Sequence, residues 1–254
     1  MLLPRVMPCL LLSGKGLVKG VRFSDHVYIG DPVNAVRIFS ARKADEVLLL
    51  DIAATREGRI PDAAFVQMIA NESLMPFTVG GGLKSEADVR AMLNAGAEKV
   101  CIGTAAVEVP HVIERCARTF GSQCVMVSID VRRDARGAME VFTHAGSRGT
   151  GIDPFAHAVA MERLGAGELL VNSIDRDGTM QGYDLDLVRG IAARVRIPVI
   201  ACGGAGTPGH LKEVIREAGV AAAAGSLFVL HGRRRGVLIS YPSGAELDDI
   251  RGAS

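Results

Sequence analysis

The sequence predicts an α/β chain folded as one (β/α)8 TIM barrel, and three observations carry that expectation. Eight short apolar runs alternate with amphipathic segments, the pattern of parallel strands joined by crossover helices. The chain also repeats itself by halves. Its 254 residues, 48% of them hydrophobic, suit a single closed barrel with a packed core.

The strands are expected, in order, at 5–11 (RVMPCLL), 46–51 (EVLLLD), 76–80 (PFTVG), 99–103 (KVCIG), 123–130 (QCVMVSID), 168–173 (ELLVNS), 197–202 (IPVIAC) and 220–225 (VAAAAG). Each is apolar on both faces, as a parallel strand between an inner core and an outer layer of helices must be. Helical periodicity follows the first strand at 31–43 (DPVNAVRIFSARK), the third at 86–96 (EADVRAMLNAG) and the seventh at 207–219 (TPGHLKEVIREAG). The last two stop at glycine, a common helix end. An eighth helix is not legible, because residues 230–254 hold only short periodic pieces.

The internal repeat has a fixed offset. Glu46, Pro76, Gly81, Gly82, Gly103 and Thr104 become Glu168, Pro198, Gly203, Gly204, Gly225 and Ser226 on adding 122. One offset across three strand ends indicates a duplicated half-barrel. The first strand matches the fifth with an offset of 119, Val6 on Val125, so a small insertion separates it from the rest. In that superposition Leu11 meets Asp130. The expected organisation is one domain, 1–254, with half-barrels at about 1–120 and 121–230 and an atypical C-terminal segment at 231–254.

A formal net charge of +1, with both signs interspersed, gives no electrostatic footprint for nucleic acid or a membrane surface. Five cysteines sit singly in apolar runs, without zinc-site spacing, and read as buried thiols in a reducing compartment. No apolar run approaches the roughly 20 residues of a membrane span, and the N-terminus lacks the features of a secretory signal. The expected location is the cytoplasm, and no metal or cofactor is expected.

In a barrel of this kind the C-terminal strand ends face the active site and the N-terminal ends form the floor. On the active face, VGGGLKS and ACGGAGT place glycines where strand passes to helix, and GTA and GSL repeat the arrangement one strand later. Exposed backbone N–H groups with a nearby hydroxyl can cradle a phosphate, and two such cradles suggest a substrate with a phosphate at each end. Asp130, at the end of the fifth strand, is the candidate acid or base. Asp175 and Asp177 in SIDRDGT read equally well as helix caps or as chemistry, and Asp51 is a weaker candidate. Lys19, in a loop after the first strand, could close over an anion, although a lone loop lysine is most often solvated. On the floor, Arg5, Glu46, Lys99 and Glu168 stand at strand starts; any one of them alone reads better as a helix cap or a solvent contact at a loop end, but buried together they would need to pair, as a ring that plugs or gates the barrel.

Taken together, RKADEVLLLDI, VGGGLKS, GSQCVMVSIDV, THAGSRGTGIDP, NSIDRDGTMQGYD and VIACGGAG resemble the cyclase subunit of imidazole glycerol phosphate synthase over about residues 1–230. The resemblance implies a lyase-type (β/α)8 enzyme of histidine biosynthesis. It takes ammonia from a glutamine amidotransferase docked at the barrel floor and reacts it with a bisphosphorylated ribulosyl nucleotide. It implies Asp130 as catalytic carboxylate, Lys19 as substrate contact, and Arg5, Glu46, Lys99 and Glu168 as an ammonia gate. It also implies phosphate contacts at Gly82 and Thr104 in one half and at Asp177, Gly178, Gly204 and Ser226 in the other. The chain departs from the pattern at Leu11, where the family has a second catalytic aspartate, at Gly103, where asparagine is usual, and in its final helix. That combination resembles a branch found with amidotransferases in surface-polysaccharide pathways, where ammonia forms an acetamidino group on a sugar. Three readings follow: an ammonia-conducting subunit for sugar amidination, a histidine-pathway cyclase, and a non-catalytic activator of the amidotransferase.

Overall fold

The computed structural model describes residues 3–252 except 233. Its barrel strands are β1 (Val6–Ser13), β2 (Val47–Asp51), β3 (Phe77–Gly80), β4 (Lys99–Ile102), β5 (Val125–Arg133), β6 (Glu168–Ser173), β7 (Val199–Cys202) and β8 (Ala221–Ala224). Each pairs in parallel with the next, β5 pairs with β6 and β8 pairs with β1, so the sheet closes and leaves no free barrel edge. The helices between and after them are α1 (Pro32–Ala41), α2 (Ala63–Glu72), α3 (Glu86–Asn94), α4 (His111–Phe120), α5 (Pro154–Arg163), α6 (Leu185–Ala192), α7 (Pro208–Ala218) and α8 (Gly244–Arg251). Asp or Ser/Thr side chains cap most of their N-termini, and Gly219 ends α7 in the left-handed conformation. Among the described residues no helix is long and apolar enough to cross a membrane.

Two cores result. One lies between strands and helices, with Phe39, Phe77, Ile113 and Phe228 among its fully buried members. The other fills the barrel: Met7, Leu48, Met126, Leu170, Ile200 and Ala223, with Cys9, Cys101 and Cys202. Because strand side chains alternate between faces, each inward set can be read from floor to mouth in steps of two. The series are Arg5, Met7, Cys9, Leu11 on the first strand; Glu46, Leu48, Leu50 on the second; Lys99, Cys101, Gly103 on the fourth; Met126, Ser128, Asp130 on the fifth; and Glu168, Leu170, Asn172 on the sixth. Charged groups lie at the floor, an apolar layer above them, and an open cavity at the top.

The two halves share backbone detail. Gly81 and Gly82 have φ of 122° and 67°, and their counterparts Gly203 and Gly204 have 88° and 111°. Gly103 and Gly225 precede matching short helices, Thr104–Glu108 and Ser226–Val229, with φ, ψ of −108°, −83° and −98°, −76°.

Three expectations need correction. Lys19 is not in a solvated loop: Gly16–Val21 and Ser24–Gly30 form an antiparallel hairpin on β1, and Lys19 is 5% exposed. Asp130 does not end its strand, since β5 runs on to Arg133 and pairs with Met139–Thr143. The C-terminal segment does contain a helix, α8, which the short apolar pattern concealed. A small two-stranded turn at Leu230–His231 and Gly236–Val237 precedes it, followed by an extended stretch.

Candidate active site and barrel floor

A cavity of about 400 Å³ opens at the C-terminal strand ends, a size within the usual range for small-molecule sites. Cys9, Cys101, Cys202, Leu11 and Leu50 line it deep in the barrel; Ser128, Asp130 and Asn172 give it a polar side; Lys19, Asp51, Asp177, Gly82 and Thr104 lie in its upper wall. Leu11 and Asp130 stand on equivalent strands of the two halves, on opposite sides of the barrel axis. An apolar side chain therefore faces a carboxylate across the same space.

Asp130 accepts a hydrogen bond from Ser128 Oγ at 3.2 Å. Burial pushes its carboxyl up to about 6, Ser128 opposes the shift and Asp177 adds to it. The group is thus poised to exchange a proton near neutral pH. Asn172 beside it also holds the carboxyl down, and Asn172 Oδ1 is buried with no partner among the described residues.

Lys19 Nζ donates to both oxygens of Asp177, at 3.1 and 3.0 Å, and to Gly20 O. The hairpin that carries it also donates from Arg22 N to Asp177 O, so it is pinned across the loop after β6. Gly178 (φ 71°) is glycine for the same reason: a Cβ there would stand 2.3 Å from Gly20 O. Asp175 accepts from Arg133 N, and Asp51 accepts from the N–H groups of Ala53 and Ala54 and from Arg59 Nη1 at 2.5 Å. Both side chains are engaged in holding loops, which is the structural alternative for them.

Of the expected phosphate contacts, Gly82, Thr104 and Asp177 reach the cavity wall, whereas Gly178, Gly204 and Ser226 lie outside its lining. Gly178 sits under the hairpin, and a Cβ on Gly204 would lie 2.1 Å from Gly182 O. Ser226 Oγ is buried without a partner among the described residues. Thr104 Oγ1 accepts from His144 N at 3.0 Å, which leaves its own hydrogen free to donate. At Gly103 the backbone does not require glycine; an added Cβ would meet only Ser128, at 3.6 Å and beyond. The absent side chain therefore enlarges the cavity.

Sequence reasoning missed His26, Arg56, Lys84, Ser128, His144 and Asn172, all in the cavity wall. Ser128 and Asn172 were legible in principle as polar residues in otherwise apolar strands. The others lie on loops whose approach to the cavity only the fold reveals.

The four floor charges form a closed ring. Arg5 donates to Glu46 at 2.6 Å and to Glu168 at 2.9 Å, and Lys99 donates to the same two carboxylates at 2.9 and 3.1 Å. Thr78 Oγ1 completes Glu46 at 2.7 Å. Burial opposes the charge on Arg5, but Glu168 and Glu46 outweigh it and hold its pKa above the usual value. Directly above the ring lies the apolar layer of Met7, Leu48 and Leu170.

A closed parallel barrel with a charged ring at its floor and a small-molecule cavity at the C-terminal strand ends has the layout of a (β/α)8 barrel enzyme. The family model described as histidine biosynthesis protein matches residues 5–234. A Pseudomonas aeruginosa protein provisionally named imidazole glycerol phosphate synthase subunit hisF2 is 47% identical over 245 residues, covering 96% of this chain and 98% of its own. A protein of the same provisional enzyme name from Leptospira interrogans is 45% identical over 248 residues, 96% of both chains. One from Vibrio vulnificus, named subunit hisF3, is 43% identical over 248 residues, 97% and 95% of the two. The chain belongs to the family of cyclase-type subunits of imidazole glycerol phosphate synthase.

Proposed function

We propose that this chain is the ammonia-using subunit of a glutamine-dependent complex that forms an acetamidino group on a surface-polysaccharide sugar. The observation that carries the proposal is the pairing of Leu11 with Asp130 across the cavity, above an intact floor ring. A cyclisation that needs a carboxylate on each side of its substrate loses one of them here, because leucine cannot move a proton. The ring and the apolar layer above it still suit passage of a small neutral molecule from below. In this reading a glutamine amidotransferase docks on the N-terminal face, where Leu74 is 91% and Leu3 57% exposed. Arg5, Glu46, Lys99 and Glu168 gate the ammonia, Asp130 acts as acid or base, and Lys19, Gly82, Thr104 and Asp177 contact a phosphorylated substrate. Gly178 would join those contacts once the hairpin lifts from the loop after β6, and Gly204 and Ser226 belong to the second phosphate site that the duplication implies.

A second reading, histidine-pathway cyclisation of a ribulosyl bisphosphate nucleotide, is favoured by the relatives' names and by the protonation range of Asp130. Complementation of a strain lacking the histidine-pathway cyclase separates the two. The wild-type chain is expected not to restore growth without histidine. Leu11→Asp is expected to gain activity on the ribulosyl substrate, by as much as the ~10²-fold and upward that one acid–base group contributes. Growth with the wild-type chain would overturn the amidination reading.

A further inference from the structure

His26 lies on the outer strand of the hairpin, and its imidazole rests against the backbone of Gly20: a Cβ added there would stand 3.0 and 3.2 Å from its ring atoms. The ring lines the cavity mouth together with Lys19, Arg56 and Asp177. Arg56 comes from a different element, the loop after β2. Its neighbour Arg59 is held by Asp51 and Glu57, and Lys19 is neutralised by Asp177, whereas Arg56 has no ion-pair partner among the described residues. A guanidinium with no ion-pair partner among the described residues and an imidazole thus line the same cavity from two different elements, near enough for the charge of one to act on the other.

We propose that His26 and Arg56 form an anion clamp across the mouth of the cavity, gripping an oxyanion group of the substrate, phosphate or carboxylate, at a point separate from the two glycine cradles. The charged groups that face His26 are Lys19 on the adjoining strand, Asp25 beside it, Asp177 on the loop after β6 and Arg56 on the loop after β2. Burial first, then the positive charge of Lys19, holds the imidazole below its usual pKa. Arg56 acts in the same direction, and Asp177 and Asp25 oppose it. These influences hold His26 toward its neutral form at pH 7. An incoming anion offsets the nearby cations and favours the imidazolium, which then donates to the anion alongside the guanidinium. Because the clamp's two arms sit on different elements, the anion also draws the hairpin toward the loop after β2. The inference rests on the cavity alone and does not depend on which nitrogen acceptor is turned over.

The test follows the imidazole signals of the intact chain by NMR at pH 7, with inorganic phosphate, acetate or chloride added at equal ionic strength. The His26 signal is assigned by its loss in His26→Gln. It is expected to move toward the imidazolium position with phosphate or acetate and not with chloride; phosphate alone would identify a phosphate group, acetate alone a carboxylate. Arg56→Gln, with its fold checked by circular dichroism, is expected to abolish most of that movement and to weaken anion binding at this site about tenfold, the size of one charge-assisted contact. A His26 signal unmoved by either oxyanion, or moved equally in Arg56→Gln, would overturn the clamp. Neither ammonia nor an amidotransferase is required, so failure of the amidination reading would leave this result standing.

Discussion

Asp130 is a buried carboxyl kept at a cost. Its folded pKa, about 6, lies above the ordinary aspartate value of about 3.9. For a carboxyl raised in this way the sign is adverse: below pH 4 both states are protonated and nothing is lost. As pH rises toward and past 6, the unfolded chain ionises more readily than the folded one and stability falls. A shift of roughly 2 units corresponds to on the order of 3 kcal/mol at pH 8. Asp130→Asn, neutral and nearly isosteric, is therefore expected to be more stable than wild type at pH 8, with the advantage shrinking toward pH 4, and to lose catalytic function. Urea unfolding of both proteins at the two pH values checks this; an equal difference at both would remove ionisation as its cause. The residue itself was legible from sequence, because a carboxylate interrupting the inward face of an apolar strand has few structural excuses. Asn172 beside it carried the same signal, a polar residue in an otherwise apolar strand, whereas His26, Arg56, Lys84 and His144 sit on segments with no such mark.

At the level of elements, the hairpin after β1 and the segment after β8 depart most from what local pattern predicts. The hairpin reads as a loop in the sequence because its outer strand, Ser24–Gly30, is largely exposed and its polar residues run together before its apolar ones, with no alternation to mark it. Its purpose becomes visible only in three dimensions, where it carries Lys19 inward. The C-terminal segment does by aromatic packing what a long amphipathic helix would do elsewhere. Tyr241 packs edge-on to Phe39 at 6.3 Å and beside Phe228 at 5.4 Å. Its hydroxyl donates to Val6 O at 2.8 Å, tying the segment to the start of β1. α8 then begins with a reciprocal capping box between Ser243 and Glu246, and Arg251 reaches Asp45 at its far end. Tyr241→Phe keeps the packing and leaves Val6 O without that donor, so a loss of about 1 to 3 kcal/mol is expected. Tyr241→Ala also opens a cavity, with a loss of about 3 to 5 kcal/mol. Denaturant midpoints of the two variants check the order, and equal losses would mean that the ring contributes nothing beyond its hydroxyl.

Over the whole molecule, the sequence carried the barrel and the two ends of its axis unequally. Strand order, the repeat and the floor charges were legible because burial forces them: eight strands apolar on both faces have few other arrangements, and four charges at strand starts must pair once enclosed. The cavity wall was not, because its loops are polar and their approach depends on the closed fold. The floor also allows a test that the catalytic face cannot confuse. Lys99 links Glu46 and Glu168 at 2.9 and 3.1 Å and is remote in its strand series from Asp130 and the cavity's polar side. Lys99→Ala leaves two carboxylates sharing Arg5 alone, which loosens the ring without touching the cavity. Removing one member of a buried pair costs roughly 3 to 5 kcal/mol, so the variant must first be shown to be folded at the assay temperature. With the partner amidotransferase present, it is expected to uncouple glutamine hydrolysis from product formation, while turnover with added ammonium salt is retained or falls less. Equal loss with both nitrogen sources would make the ring a purely structural plug, and ammonia would then have to enter from the mouth of the barrel.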